Sequence, residues 1–268
     1  MDIEVYVLTH KKIEEPFSFP PYTPLLNGSI LSDDDFGYVR DDTGENISKL
    51  NIYYAELTGQ YWAWKNSKVD IIGFCQYRRW FVKNFKYDKL NDEDIKKDLE
   101  DHDIILPVKT IFNQPLEMGI KEGLIKNPNY GAKWEDYVKL ENIIKENFSE
   151  YYPAYKQVMY GNVGAYNCNM FICKKELADK YLSWLFKVLD ELKNEIDFSA
   201  YPENNKRVLG FFSEYLLTVF VYTHNLRIKE HYIINTDRKF PIVTMFNSKF
   251  PFLRFIEDKI LNFKLKHK

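Results

Sequence analysis

The chain opens on Ile3-Glu4-Val5-Tyr6-Val7-Leu8-Thr9, a β-rich run that predicts a first buried strand, ending in a loop at His10-Lys11-Lys12. Residues 13–46 are rich in Pro, Gly and Asp without a clean period, which predicts a long loop that is functional or mobile. Leu50, Tyr53, Tyr54, Leu57, Tyr61 and Trp64 recur at helical spacing and predict one helix over 48–66, capped by Asn46 or Ser48. Val69–Phe74 reads as a strand running into Cys75-Gln76-Tyr77-Arg78-Arg79-Trp80. Polar residues 91–101 predict a short surface helix, Asp103–Pro107 a buried strand stopped by its proline, and 109–131 a loop. Tyr137, Leu140, Ile143 and Ile144 place a helix near 134–147, followed by a strand at Asn167–Cys173. Leu177 to Leu192 mark a long amphipathic helix. Val208–Tyr222 is apolar almost all round and predicts a buried one, and Arg227–Ile234 a late strand. Strands alternating with helices predict an α/β domain over 1–240, with a central, mostly parallel mixed sheet flanked by helices. Such sheets bind ligands beyond the carboxyl ends of their strands. Residues 241–268 form a separate basic amphipathic tail, which either lies on an anionic membrane surface or packs on the domain.

Composition narrows the function. Among 268 residues, 37 Lys+Arg stand against 39 Asp+Glu, a balance that argues against duplex nucleic acid as a partner. Three cysteines without metal-ligand spacing fit a reducing cytosol. No apolar run has the length of a membrane span, and Met1-Asp2-Ile3-Glu4 does not read as a signal peptide. Only 7 of the 37 basic residues are Arg, so the adjacent pair Arg78-Arg79 stands out.

Three strand ends deliver polar groups: Thr9, His10 and Lys11; Gln76, Tyr77, Arg78 and Arg79; and Lys109 after Pro107. Convergence would build a cationic crevice suited to a diphosphate, because guanidinium forks bind phosphate oxygens in pairs. The other reading pairs Arg78 and Arg79 with local acids such as Asp70 or Asp88. Alternation along an extended strand would point the two Arg side chains opposite ways. Arg40 to Asn46 is dense in groups that hold sugar hydroxyls or metals, and Asp33-Asp34-Asp35 is either an Asp-x-Asp metal pair or an exposed acidic loop. Glu214 lies inside an apolar helix, where an unpartnered carboxylate is costly. It is therefore a structural partner of a base such as Arg207, a general base in a cleft, or a grip on a sugar hydroxyl. No Gly-x-Ser-x-Gly elbow, Walker loop or Gly-x-Gly-x-x-Gly occurs.

The ordered stretches Thr9-His10-Lys11, Asp41 to Ser48, Glu56-Leu57-Thr58, Tyr61 to Asn66, Tyr77 to Phe81, Asn169 to Ile172, Trp184-Leu185-Phe186 and Arg207-x-x-Gly210-Phe211-x-x-Glu214 resemble one family. It is the family of bacterial capsular and exopolysaccharide biosynthesis proteins first catalogued as a domain of unknown function and now regarded as glycosyltransferases. The resemblance runs over roughly residues 3–235. Two departures are Gln76, where that family usually has His, and Tyr215, where it usually has Arg.

The resemblance implies a GT-A-like nucleotide-sugar-binding fold and an inverting hexosyltransferase. It implies transfer from a UDP-sugar, of galactose or galactofuranose type, to a saccharide on a polyprenyl diphosphate. The setting would be cytoplasmic, peripheral at the inner membrane face. In that frame Arg78 and Arg79 neutralise the diphosphate and Glu214 is the base. Thr9, His10, Lys11, Asp41, Asp42, Asn46, Tyr77 and Arg207 hold the nucleotide sugar, and Trp62, Trp80 and Asn169 wall the acceptor cleft, with Tyr61 packing in the core. With Tyr77-Arg78-Arg79 in the strand-end slot, no metal or other cofactor is required; Mn²⁺ or Mg²⁺ on Asp41/Asp42 or Asp33/Asp35 is the alternative. A non-catalytic saccharide-binding or assembly protein, and a metal-dependent sugar-nucleotide hydrolase or nucleotidyltransferase, are the rival readings.

Overall fold

Strand β1 (Ile3–Thr9) forms as its sequence predicts, with Val5 and Val7 on one face and Tyr6 and Leu8 on the other. The computed structural model describes residues 1–13, 20–83, 88–127 and 131–236, and the basic tail at 241–268 lies outside them. The segment read as a loop at 13–46 contains two parallel neighbours of β1, β2 (Tyr22–Leu26) and β3 (Val39–Arg40). On the other side β1 pairs in parallel with β4 (Ile71–Gln76), so that Leu8 lies opposite Gln76 and the two strands end together.

Beyond β4 the sheet is mixed rather than mostly parallel. Among the described residues, four pairings are parallel and four antiparallel. After a two-residue turn at Tyr77-Arg78, β5 (Arg79–Val82) runs back and pairs with β8 (Ile228–Asn235). Strand β6 (Ile104–Pro107) lies parallel to β8, and β7 (Phe171–Lys174) runs antiparallel to both β6 and β4. β7 feeds straight into a long helix at Lys175, so its direction is set by where that helix starts. The circuit β4–β5–β8–β6–β7 thereby closes on itself.

Helices cover the sheet. On one side pack α5 (Trp134–Asn147), α6 (Tyr152–Tyr160), α7 (Lys175–Glu195) and α8 (Val208–Thr223). On the other lies α3 (Asp92–Asp101), whose N-terminus carries an Asn91–Asp94 capping box and whose Ile95 and Leu99 reach the core. α4 (Leu116–Lys126) occupies part of the stretch read as a loop. No helix among the described residues is long and apolar enough to cross a membrane.

The predicted helix over 48–66 is broken. It divides into α1 (Asn51–Tyr54) and α2 (Leu57–Asn66), with Ala55 between them at a positive φ of 49° that non-glycine residues rarely adopt. The Asn51 amide stabilises the break by donating to the Ala55 carbonyl at 2.8 Å and to Thr58 Oγ1 at 3.0 Å. Past it, α2 descends onto the sheet through Gly59. A Cβ there would stand 2.1 Å from Asn27 Oδ1 and 2.5 Å from a Leu25 methyl. Replacing Gly59 by Ala should therefore destabilise the fold by about 1–3 kcal/mol by overpacking, although Ala is the better helix former. Chemical denaturation would measure it, and an unchanged midpoint would show that the interface has room to give.

Candidate active site

The carboxyl ends of β1 and β4, the Ala55 break and the start of α8 surround one cavity of about 430 Å³. Thr9, His10, Gln76, Tyr77, Arg78 and Arg79 line it from the strands, Ala55 and Glu56 from the break, and Arg207, Gly210, Phe211 and Glu214 from α8. Arg78 and Arg79 both face it, against the alternation expected of an extended segment. The reason is local: Tyr77-Arg78 is a tight turn, and Gln76 pairs with Arg79 across it. Gln76 Oε1 accepts a hydrogen bond from the Arg79 guanidinium, while its Nε2 donates to the Cys168 carbonyl at 2.9 Å. Asp70, a suggested partner for the Arg pair, lies at the opposite end of β4 and accepts from the Asp2 amide at 2.8 Å.

The same cavity holds a pair of carboxylates, Glu56 and Glu214. Burial pushes the Glu214 carboxyl up to about 7; the charge of Glu56 adds to the rise, and Arg79 and the Cys168 backbone oppose it. Glu56 is also raised by burial, against a hydrogen bond from Asn169 Nδ2 at 2.8 Å and the charges of Arg207 and Arg79. Arg207 thus acts on Glu56 rather than as the structural partner of Glu214. Glu56 carried no assigned role in the sequence. Its signal is an acid at the edge of an apolar helical stripe, visible only once the helix is known to break at Ala55. His10 is pushed down by desolvation, then by the charges of Lys11, Arg78 and Arg207, and its ring stands edge-on to Tyr77 at 5.3 Å. Lys11 lies just outside the cavity, 5.0 Å from the Tyr77 ring, and the Thr9 hydroxyl shapes this turn by donating to the Lys11 carbonyl at 2.6 Å.

The structure places other expected residues elsewhere. Asp41 is fully buried and accepts from the amides of Gly28 and Ser29 and the hydroxyls of Ser29 and Ser48, all within 2.9 Å, so its oxygens are spent inside the fold. Asp42 forms an ion pair with Arg40 at 2.7 Å. Asn46 does not cap the helix but makes a local turn, accepting from the Ser48 amide at 3.2 Å, two residues on. Asp34 and Asp35 accept from backbone amides two residues on, in an exposed turn. Trp62 donates to the Thr43 carbonyl at 2.9 Å, and Trp80 is buried in the core of the α3 side. Tyr61 packs edge-on against Phe186. Lys109 donates to Tyr222 Oη at 2.9 Å, away from the cavity. Asn169 stands behind the wall, where it holds Glu56 and accepts from Ser213 Oγ at 3.0 Å. No group of three or more His, Cys, Asp or Glu placed to hold a metal ion occurs among the described residues.

Residues 4–225 match the sequence family described as a domain of unknown function (DUF4422). Among solved structures, the fold is similar to that of the WbbM bifunctional glycosyltransferase in its apo form. The TM-score is 0.74, with 26% sequence identity over 89% of this chain. The match takes in 46% of that chain, so this protein spans less than half the length of the enzyme it resembles. No curated protein matches in sequence.

The raised Glu214 carboxyl has a stability signature. Between the ordinary carboxylate value of 4.5 and about 7, the folded state holds a proton that the unfolded chain has released. Stability contributed by this group is therefore lost as pH rises through that window. A Glu214→Gln variant should gain up to about 3 kcal/mol over the native chain at pH 8 and gain nothing at pH 4. Melting curves across that range check it, and a pH-independent difference would mean that the carboxyl is not desolvated.

Proposed function

This chain belongs to the DUF4422 family, and we propose that it is a glycosyltransferase moving a sugar from a nucleotide diphosphate to a saccharide hydroxyl. The observation that carries this is the juxtaposition, in one cavity, of Arg78, Arg79 and Arg207 with the carboxylates of Glu56 and Glu214. The likeness to a glycosyltransferase structure supports it. Glu214 takes the proton of the acceptor hydroxyl, whose oxygen forms a bond to the anomeric carbon. The bond from that carbon to the diphosphate oxygen breaks, and its electron pair leaves with the diphosphate, neutralised by Arg78 and Arg79. A carboxyl titrating near 7 suits a base working near neutrality. Gln76 holds Arg79 by hydrogen bonding and, as an amide, carries no titrating proton.

The finer reading is a GT-A-type enzyme that inverts the anomeric centre and uses a UDP-hexose of galactose or galactofuranose type. It acts on a lipid-linked saccharide at the inner membrane face. The parallel β3–β2–β1–β4 half with its cavity at the strand ends supports the first of these. The motif resemblance supports the rest. Thr9, His10, Lys11 and Tyr77 serve the nucleotide end. Paired guanidiniums at the strand end support a divalent ion being dispensable.

Glu214→Gln should lower kcat by about 10²–10⁴ with UDP affinity retained, and native kcat/KM should rise with pH through about 7 as the carboxyl ionises. A variant with near-native turnover removes Glu214 from the base role. UDP release from a donor panel, with and without acceptor and EDTA, tests the rest. Activity that EDTA abolishes and Mn²⁺ restores would refute metal independence, and calorimetry showing no UDP affinity would favour a saccharide-binding protein.

A further inference from the structure

A second cavity, of about 720 Å³, adjoins the first, and Glu214 is the residue that lines both. Its other walls come from Ile111 to Leu116, from Gly119, Ile120, Glu122 and Lys126 of α4, and from Asn167 and Tyr215. The two ends differ in chemistry. Beside Glu214 stand half-buried Asn167 and Tyr215, an amide and an aromatic ring suited to sugar hydroxyls and to the flat face of a pyranose. Toward solvent lies Ile111, 43% exposed, and Phe112, Pro115, Leu116 and Ile120 make the rest of an apolar wall.

In-line displacement brings the acceptor oxygen in on the side away from the departing diphosphate. With the guanidiniums in the first cavity, a carboxylate that also faces the second is placed to take a proton from a group bound there. A bare sugar would have no use for the apolar wall, whereas an acceptor with a hydrocarbon aglycone would cover it. We infer that the second cavity is the acceptor site. It takes a saccharide bearing an apolar aglycone, with the reacting sugar between Asn167 and Tyr215 and the aglycone along Ile111, Phe112, Pro115 and Ile120. This rests on the transferase reading. It moves the acceptor wall from Trp62, Trp80 and Asn169 to the segment 111–126 and Tyr215.

Gly119 offers a clean block. A Cβ there would meet only Gln114 Nε2, at 3.8 Å, so a large side chain can enter the cavity without displacing the core. Gly119→Trp should lower transfer to saccharide acceptors at least tenfold, while UDP affinity by calorimetry and slow acceptor-independent donor hydrolysis stay native. In the native protein, octyl glycosides of galactose, glucose and N-acetylglucosamine should include at least one acceptor whose KM is tenfold or more below that of its methyl counterpart. Ile111→Asp, at an exposed position, should narrow that gap to less than threefold. Native transfer rates in Gly119→Trp, or a panel in which no octyl glycoside outperforms its methyl partner, would overturn the assignment while leaving the donor site standing. A native protein that neither binds UDP nor releases it from any donor would overturn both.

Discussion

Cys168 and Asn169 stand side by side in the left-handed region, at φ 75° and 52°, and the site depends on that bend. Such a conformation costs about 1–3 kcal/mol per non-glycine residue and persists only where its surroundings hold it. Here two side-chain amides do so. Gln76 donates to the Cys168 carbonyl at 2.9 Å, and Gln60, buried in α2, donates to the Asn169 carbonyl at 2.7 Å. In exchange the bend aims the Asn169 amide at Glu56 and the Cys168 backbone at Glu214. One strained corner thus positions both carboxylates, and it does so with neutral groups. An Arg or Lys in the same place would pull both acids back toward the ordinary carboxylate range.

The electrostatics of the cavity are a contest among burial, like charge and opposite charge. For Glu214 burial wins, Glu56 reinforces it, and Arg79 concedes only part of the rise. A bound diphosphate would draw on the charge of Arg79, weakening its hold on the carboxylate and making Glu214 a stronger base when donor is present. Gln76 joins these halves physically, since it touches both Arg79 and the bend that faces Glu214.

The long periodic elements were legible. β1, α5 and α8 announce themselves through a short β-rich apolar run, a four-residue stripe and a nearly unbroken apolar run. Hidden elements had specific reasons. β2 contains Pro24 and is only five residues long. α4 carries Gly119 and Gly123 and buries little. The break at Ala55 leaves no gap in the apolar stripe, because Tyr54 and Leu57 continue it on either side. At the site, Arg78, Arg79 and Glu214 could be singled out by the rarity of Arg and by an acid in an oily helix. Asp41 misled because its acidic neighbours resemble a hydroxyl-binding loop. Its true partners, Ser29 and Ser48, are remote in sequence from one another, and only folding brings them to it.

The closed circuit from β4 through β5, β8, β6 and β7 has a bearing on how the molecule behaves among its neighbours. Among the described residues every strand except β3 is flanked on both sides, and β3 is two residues long and ends in a charged Arg40. Unsatisfied strand margins are what allow one polypeptide to recruit another into intermolecular β-pairing. Among the described residues such a margin remains mainly along β3 and the first three residues of β2, a useful property for a chain in which 45% of the residues are hydrophobic.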